Sequence, residues 1–506
     1  MKLNKLVIIG LATISLVACK EDYLSVKGTD TLNSETYREM VKKNPDLLGA
    51  TLAGTYSYMA SSSPTSFERH DDFSLTAILH ACDMMTEDIV QTKVHWFTYD
   101  YCLDFRLTNY ARPYATWLTL YTVISQANGI ISLIDIPATT ADPASKSRPY
   151  LGQAYALRAY SYMYLLQIFQ NAFTGEPDAD GSKINRDLPG IPLKNTANEE
   201  GGVTDNYSRR TVGAVLDEIE RNLTLSVALL DGWERGGKYM INKNVAQGLL
   251  ARYYLMVGNW DKAATTAKEA RAGFATIGKN DLYKGFMDIT SSDWMWGFDH
   301  TPETETRYAS FFSHLSNITP GYAGLGYAPR AIDVRLYDQI PAEDYRKKWF
   351  NGKDKNPNQA QKGAQEPYAN LKFGFDGSWT MDYMYMRSAE MILIEAEALA
   401  RQSKFTEATT VMHELLDSRF DEWEPGTDVT IEDILLQRRI ELWGEGFAYF
   451  DLKRLHRGID RTYSGSNHRK PDGTLKVDAG DVRWTYQIPL REIQENTEIS
   501  EEDNNK

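Results

Sequence analysis

Two sets of charged residues carry the spacing that hydrolytic chemistry would need. Arg438, Glu441 and Glu445 fall at i, i+3 and i+7, and Glu390, Glu397 and Arg401 share a second helical face earlier in the same half of the chain. Residues so spaced lie on one side of a helix. Paired carboxylates serve glycoside hydrolysis when one donates a proton and the other acts as nucleophile or base at a fixed separation. Arginines interleaved with the acids point the other way, to ion pairs that hold packed helices together, and these acids are read as structural. The eight histidines show no H-x-x-x-H or H-E-x-x-H zinc spacing. His80 and Cys82 stand close together, but no second pair completes four metal ligands. A phosphate loop, a dinucleotide-binding glycine motif and a nucleophile elbow are all missing from the sequence. The expectation is therefore no catalytic residue, no metal, no cofactor, and no enzyme.

Flat rings are the remaining candidate for chemistry. The chain is 12% aromatic, with 30 Tyr and 11 Trp, more than packed helices alone need. Val94 to Phe105 (VHWFTYDYCLDF) crowds Trp96, Phe97, Tyr99 and Tyr101 together. Its alternation fits a strand with one face in the core, or rings turned to solvent that stack on the C–H faces of sugars. A second group, Tyr308, Phe311, Phe312, Tyr322 and Tyr327, lies in a glycine-rich stretch. Trp294 and Trp296 alternate around Met295, so one of the two is expected in the core. The candidate ligand-binding set is Trp96, Tyr99, Tyr101, Tyr308, Phe311, Phe312, Tyr322 and Tyr327, with Asp72 and Arg106 as polar partners.

Helices must position these rings. Apolar residues recur at helical spacing over Tyr114–Ile134, Pro149–Phe169, Asn242–Val257, Trp260–Ile277, Met381–Arg401, Thr406–Phe420 and Thr430–Leu455. Thr211 is placed to cap another helix running through Leu230. ARYYLMVGNWDKA (251–263) and AEALARQSKFTEA (396–408) each straddle a helix end and the next helix start. They have small residues at both ends and an aromatic three before the last, which suits stacked helical hairpins of tetratricopeptide type. Between Gly278 and Trp379 the helical period is lost, and Gly, Pro, Trp, Tyr and Asn become frequent. So long an aromatic-rich irregular stretch inside a helical scaffold is a functional segment rather than a disordered one. The fold class expected is mostly α, tetratricopeptide-like hairpins with a loop-rich, irregular ligand-binding side.

The first residues address the compartment. Lys2 and Lys5 precede an apolar run, Leu6 to Val17, that is too short to span a bilayer and fits a secretory signal peptide over 1–18. Leu16-Val17-Ala18-Cys19 resembles a lipoprotein cleavage box, in which the Cys19 thiol takes the lipid. Lys20-Glu21-Asp22 then resembles the export signal of surface lipoproteins. Cys82 and Cys102 remain, equally consistent with a disulfide or two free thiols. A net charge of −14 argues against nucleic acid, whose phosphates reward lysine and arginine.

Four stretches, taken in order, resemble the SusD/RagB family. They are AYALRAYSYMYLLQIF (154–169) followed by LPGIPL (188–193), YMRSAEMILIEAEALA (385–400), RRIELWGEGFAYFDLKR (438–454) and WTYQIPLREIQEN (484–496). Ala448 departs from the polar residue usual in the third. The resemblance implies an outer-membrane lipoprotein, held by its lipid and facing the cell exterior, that binds an oligosaccharide or polysaccharide. Its implied partner is a SusC-like TonB-dependent channel. A peptide ligand in the same architecture, or a surface glycoside hydrolase, are the alternatives. On this reading 19–275 is an N-terminal helical region, 276–380 a loop-rich insertion carrying part of the site, and 381–506 the C-terminal helical region.

Overall fold

The computed structural model describes residues 34–65, 68–173, 184–199, 207–469 and 475–505; the leader, Cys19 and the residues just after it lie outside them. Among the described residues the principal helices are α1 (Leu48–Ala60), α2 (Ser74–Met84), α3 (Ala111–Ile131), α4 (Arg148–Phe169), α5 (Val212–Leu229), α6 (Lys243–Val257), α7 (Trp260–Ala270), α8 (Ser388–Arg401), α9 (Phe405–Leu416), α10 (Ile431–Glu441) and α11 (Ala448–Arg454). From α3 to α9 each helix packs on the next in sequence, so antiparallel hairpins stack into a continuous scaffold. No helix among the described residues is long and apolar enough to cross a membrane.

The Thr211 cap lies where the sequence places it, and two asparagines do the same for α6 and α7. Thr211 Oγ1 accepts the Ala214 N–H, and the side chains of Asn242 and Asn259 accept those of Val245 and Lys262. Gly258, at φ +74°, takes the left-handed position that ends α6 and lets α7 begin two residues later. Helix α4 is the axis of the core, since every side chain from Leu151 to Phe169 is buried. Gly152 allows α5 to come close: a Cβ there would sit 2.7 Å from Leu230 Cγ.

Three helix boundaries differ from the periodicity. Helix α7 stops at Ala270 rather than Ile277, where the Asn244 side-chain amide takes the carbonyls of Ala270 and Ala272. The stretch before Ser388 is a strand, because Tyr-Met-Tyr-Met-Arg alternates with period two. The helix expected over Thr430–Leu455 is two helices, broken at Gly444 and Gly446, both at positive φ.

Residues 271–387 form one long excursion between α7 and α8, and those two helices pack directly against each other. The excursion is tied down by two-stranded antiparallel sheets. Strand β1 (Ile89–Gln91) pairs with β3 (Arg330–Ile332) in the register Ile89↔Ile332, Val90↔Ala331, Gln91↔Arg330. Strand β2 (Trp294–Phe298) pairs with β4 (Tyr383–Arg387). Irregular register in the second pair, and cover on both faces, bury Trp294 and Trp296 alike, so both are core where one was expected.

Candidate ligand-binding site

The acids with catalytic spacing are all spent on arginine or lysine. Glu390 makes a two-point pair with Arg252 (2.6 and 2.7 Å), joining α8 to α6. Glu397 makes another with Arg454 (2.7 and 2.7 Å) and also meets Arg401 at 2.9 Å. Glu441 receives Arg419 (2.6 Å), Arg387 (2.7 Å) and Arg346 (3.0 Å), with all four side chains buried. Arg438 pairs with Asp451 at 2.7 Å instead of joining them. Glu445 is not on the helix with Glu441 but in the glycine turn beyond it. From there it reaches Arg387 at 2.8 Å and Lys372 at 2.6 Å. Burial alone would raise the Glu441 carboxyl, but the charges of Arg419 and Arg387 hold it well below the usual carboxylate range. A carboxylate locked in that state is no proton donor. The cluster bolts the excursion (Arg346, Lys372, Arg387) to α10 and the turn after it.

The solvent-facing rings gather elsewhere, where β1, the excursion and the loop before α2 meet. Gln91 Nε2 donates to the Trp96 carbonyl (3.1 Å) and to Thr98 Oγ1 (3.0 Å), and the His95 N–H donates to that same hydroxyl (2.9 Å). These bonds fix a sharp corner in which Phe97 takes φ +65° and turns inward. Such a conformation is costly for a bulky residue, and it leaves Trp96 half-exposed on the outer side. His70 lies 6.1 Å from Trp96, stacks 6.1 Å from Tyr308, and shares a 2.6 Å hydrogen bond with the Tyr322 hydroxyl. Tyr322 in turn meets His95 (4.7 Å) and Tyr308 (5.7 Å), and Tyr308 meets Trp379 (6.4 Å). Tyr327 closes the group, 6.1 Å from His95. Close backbone passages shape the loop that carries Tyr322 and Tyr327. A Cβ on Gly324 would lie 1.9 Å from the Thr319 carbonyl, and one on Gly363 2.0 Å from that of Ala323.

One edge of the platform is charged and rigid. Arg69 lies over Trp96 (5.3 Å) and Phe105 (5.6 Å) while Asp71 grips its Nε and Nη2 at 2.9 and 2.8 Å. Asp71 also accepts from the buried Arg112 (3.0 Å), which reaches on to Asp100 (3.0 Å). Burial opposes ionisation of Asp71, but Arg112 and Arg69 prevail and lower its pKa. The guanidinium is thus held in place before any ligand arrives. Val94, Tyr99, Tyr308, Leu325 and Tyr327 are five of the eleven large apolar side chains exposed among the described residues, and all lie on or beside this face. Concentrated exposed apolar surface of this kind makes the face the candidate binding site.

The structure sorts the candidate residues. Trp96, Tyr308, Tyr322 and Tyr327 come together on the platform, and Tyr99, 61% exposed, stands at its rim against Phe105. Tyr101 is a correction: it is fully buried, on a one-turn helix (Thr98–Tyr101) where a strand was the alternative, and its hydroxyl bonds His468 (2.7 Å). Phe312 is buried against Tyr383, and Phe311 packs among Phe312, Phe373 and Tyr383 at the core's edge. Asp72 is buried and accepts from the hydroxyl and N–H of Thr65, closing its own loop. The Nε of Arg106 donates to the Thr485 carbonyl at 3.0 Å, holding the C-terminal segment. Cys82 is buried and Cys102 half-buried, and they are not joined. Arg69, His70, His95 and Trp379 lie in the ring platform and escaped the sequence reading. Only the nearness of His95 to Trp96 hinted at any of them.

Two family models match the chain. One, described as starch-binding associating with outer membrane, covers residues 22–255, and the other, of the SusD family, covers 375–504. The chain belongs to the SusD/RagB family. SusD-like protein P2 of Formosa agariphila is 23% identical over 418 residues, 74% of this chain and 77% of the relative. Among solved structures, a SusD-like carbohydrate binding protein from Bacteroides vulgatus superposes with a TM-score of 0.74 at 23% identity, covering 91% of this chain and 98% of that one. Surface glycan-binding protein A from Bacteroides uniformis gives 0.63 at 16% identity, over 91% and 99%. The SusD fold is therefore shared over nearly the whole chain, and the family is one of non-catalytic binding proteins. In SusD terms, the acids of α8, α10 and the following turn are scaffold.

Proposed function

We propose that this SusD-family chain captures an oligosaccharide or polysaccharide on the ring platform and hands it to a TonB-dependent outer-membrane channel. The observation that carries the reading is the platform itself: half-exposed Trp96, Tyr308, Tyr322, Tyr327 and Trp379 around His70 and His95, edged by a pinned Arg69. Pyranose rings present C–H faces that pack on indole and phenol. Their hydroxyls need donors and acceptors, which the arginine, imidazole and phenol groups supply. The printed names of several structural relatives, surface glycan-binding proteins among them, support the same ligand class. Lipidation at Cys19 and outward display would put the platform where polymer arrives. The peptide alternative gains no support from any feature of the face.

Affinity electrophoresis and calorimetry against a panel of polysaccharides test the capture step. One glycan class should bind, no new reducing ends should appear, and Trp96→Ala should weaken retention sharply. Failure of every glycan class, or undiminished retention by the variant, would refute it. Co-purification of the tagged, membrane-extracted protein with a large outer-membrane channel tests the hand-over, and Cys19→Ser should release the chain from membranes.

A further inference from the structure

The two repeat windows, 251–263 and 396–408, carry a feature that the ring platform does not use. Each puts an aromatic residue at the first position of the second helix of its hairpin, Trp260 on α7 and Phe405 on α9. Because α7 packs on α8 and α8 on α9, the two hairpin turns lie on the same edge of the stack. Packed helices run about 8–10 Å apart, so the first residues of α7 and α9 stand within about 20 Å of each other. Both rings line a cleft of about 1270 Å³, lined as well by α5, the end of α6, the start of α10 and the end of α11. None of its lining residues belongs to the platform. Ordinary small-molecule sites occupy roughly 300–1,000 Å³, so the cleft has room for an oligomer.

Trp260 is set up as Trp96 is. Arg401 lies over its ring at 4.9 Å while Glu397 holds the arginine Nε at 2.9 Å, just as Asp71 holds Arg69 over Trp96. Gly258, which ends α6, also makes room for the indole: a Cβ there would sit 3.3 Å from Trp260 Cζ2. The indoles of Trp117, Trp296, Trp349, Trp443 and Trp484 each donate to a protein oxygen. That of Trp260, half-buried, has no acceptor among the described residues. Phe405, 37% exposed, supplies the second ring.

The charges of the cleft are engaged within the chain. Arg454 meets Glu397 (2.7 Å), Arg457 meets Glu432 (3.1 Å), Arg186 meets Asp217, and Glu220 takes Lys262 (3.0 Å) and the Tyr254 hydroxyl (2.9 Å). Asp261 sits in the first turn of α7, where the helix N-terminus favours an acid. No surplus of one sign is left to grip a phosphate or a charged peptide. What remains is two flat rings, an indole donor, and paired carboxylates that keep spare lone pairs for hydroxyls. Apolar faces beside hydrogen-bonding edges match an uncharged sugar.

We propose that this cleft is a second saccharide site, separate from the platform, which takes an uncharged oligosaccharide with one sugar on Trp260 and another toward Phe405. Its ligand class rests on the glycan-binding reading above; its place rests on the cleft alone. Two sites on one chain would retain a long polymer more firmly than either does by itself.

Calorimetry of the whole chain and of its Trp96→Ala variant with neutral hexasaccharides of β-1,4-glucan, β-1,3-glucan, α-1,4-glucan, xylan and mannan tests this. At least one should still bind Trp96→Ala, and adding Trp260→Ala should weaken that residual binding about tenfold. Adding Phe405→Ala instead should weaken it a few-fold, and crystals of Trp96→Ala soaked with the same sugar should show it against Trp260. Should the Trp260→Ala chain fail to fold, Phe405→Ala and the soaked crystals decide the matter. The cleft loses its assignment if no hexasaccharide binds Trp96→Ala, if residual binding ignores both Trp260 and Phe405, or if hexagalacturonate or a charged peptide binds there instead. The platform reading is judged separately, by whether the unaltered chain retains any polysaccharide and loses it with Trp96.

Discussion

The Glu441 cluster and the ring platform each join the excursion to another part of the chain, α10 in the first and the segments around α2 and β1 in the second, yet they are built to opposite rules. Around Glu441, Arg346, Arg387 and Arg419 converge on one carboxylate, each of these groups is buried, and the backbone is regular apart from the glycine turn that delivers Glu445. Around Trp96 the charges are tucked below, the rings stay half in water, and Phe97 adopts a backbone conformation its side chain disfavours. The first arrangement is finished without a ligand. The second is rigid but incomplete, which is what a preorganised binding face requires. Carboxylates flanked by arginine are thus spent on structure in this molecule, while exposed rings on a strained corner remain free to meet a ligand.

The contrast breaks most sharply if the two regions are mutated in parallel. Glu441→Gln leaves three buried guanidinium groups short of charge, and should cost about 3–5 kcal/mol of stability by chemical denaturation. The glycan affinity of the protein that remains folded should be unchanged. Trp96→Ala should do the reverse, lowering affinity by about 2 kcal/mol, roughly thirtyfold, in calorimetry while moving stability less than Glu441→Gln does.

Mild acid should sharpen the comparison further. Burial holds His314 at about 3 and His300 at about 4, against 6.5 for an unconstrained imidazole. Both are neutral in the fold, so the unfolded chain binds more protons as pH drops below 6.5 and stability falls with it. Each should contribute roughly 1.5 kcal/mol of loss between pH 6.5 and 5, measured by denaturant titration, and His314→Gln should remove its share. Glu441 titrates in the opposite position. Its depressed pKa keeps its contribution intact until pH falls below the ordinary glutamate range. The smallest effect belongs to Tyr308→Ala, at 49% exposure: a few-fold loss of affinity with stability within about 0.5 kcal/mol of the parent.

Most of the scaffold was legible because helices announce themselves locally. The periods of α3 to α6 and α8, the cap at Thr211, and the extended piece Trp294–Phe298 need only neighbouring residues to be seen. Boundaries failed where a distant or conformational cause intervened, as with the Asn244 amide at the end of α7 and the left-handed glycines after Glu441. The site was half legible. Crowded rings flagged Trp96 and Tyr308, but nothing local separates Tyr99, which faces solvent, from Tyr101, which is fully buried two residues later. A one-turn helix and a bond to His468, more than 360 residues away, make that difference. His70, Arg69 and Trp379 are ordinary loop residues until the fold assembles them.

Helix α7 packs directly on α8, and Ser388 Oγ donates to the Ala275 carbonyl (3.2 Å), so the two ends of the long excursion meet at its root. A segment with adjoining ends behaves as an exchangeable cassette, because each doubling of its length costs the closed chain only about 0.6 kcal/mol. The excursion can therefore be rewritten at little cost to the helical stack, provided the replacement still supplies the cations that dock on Glu441 and Glu445.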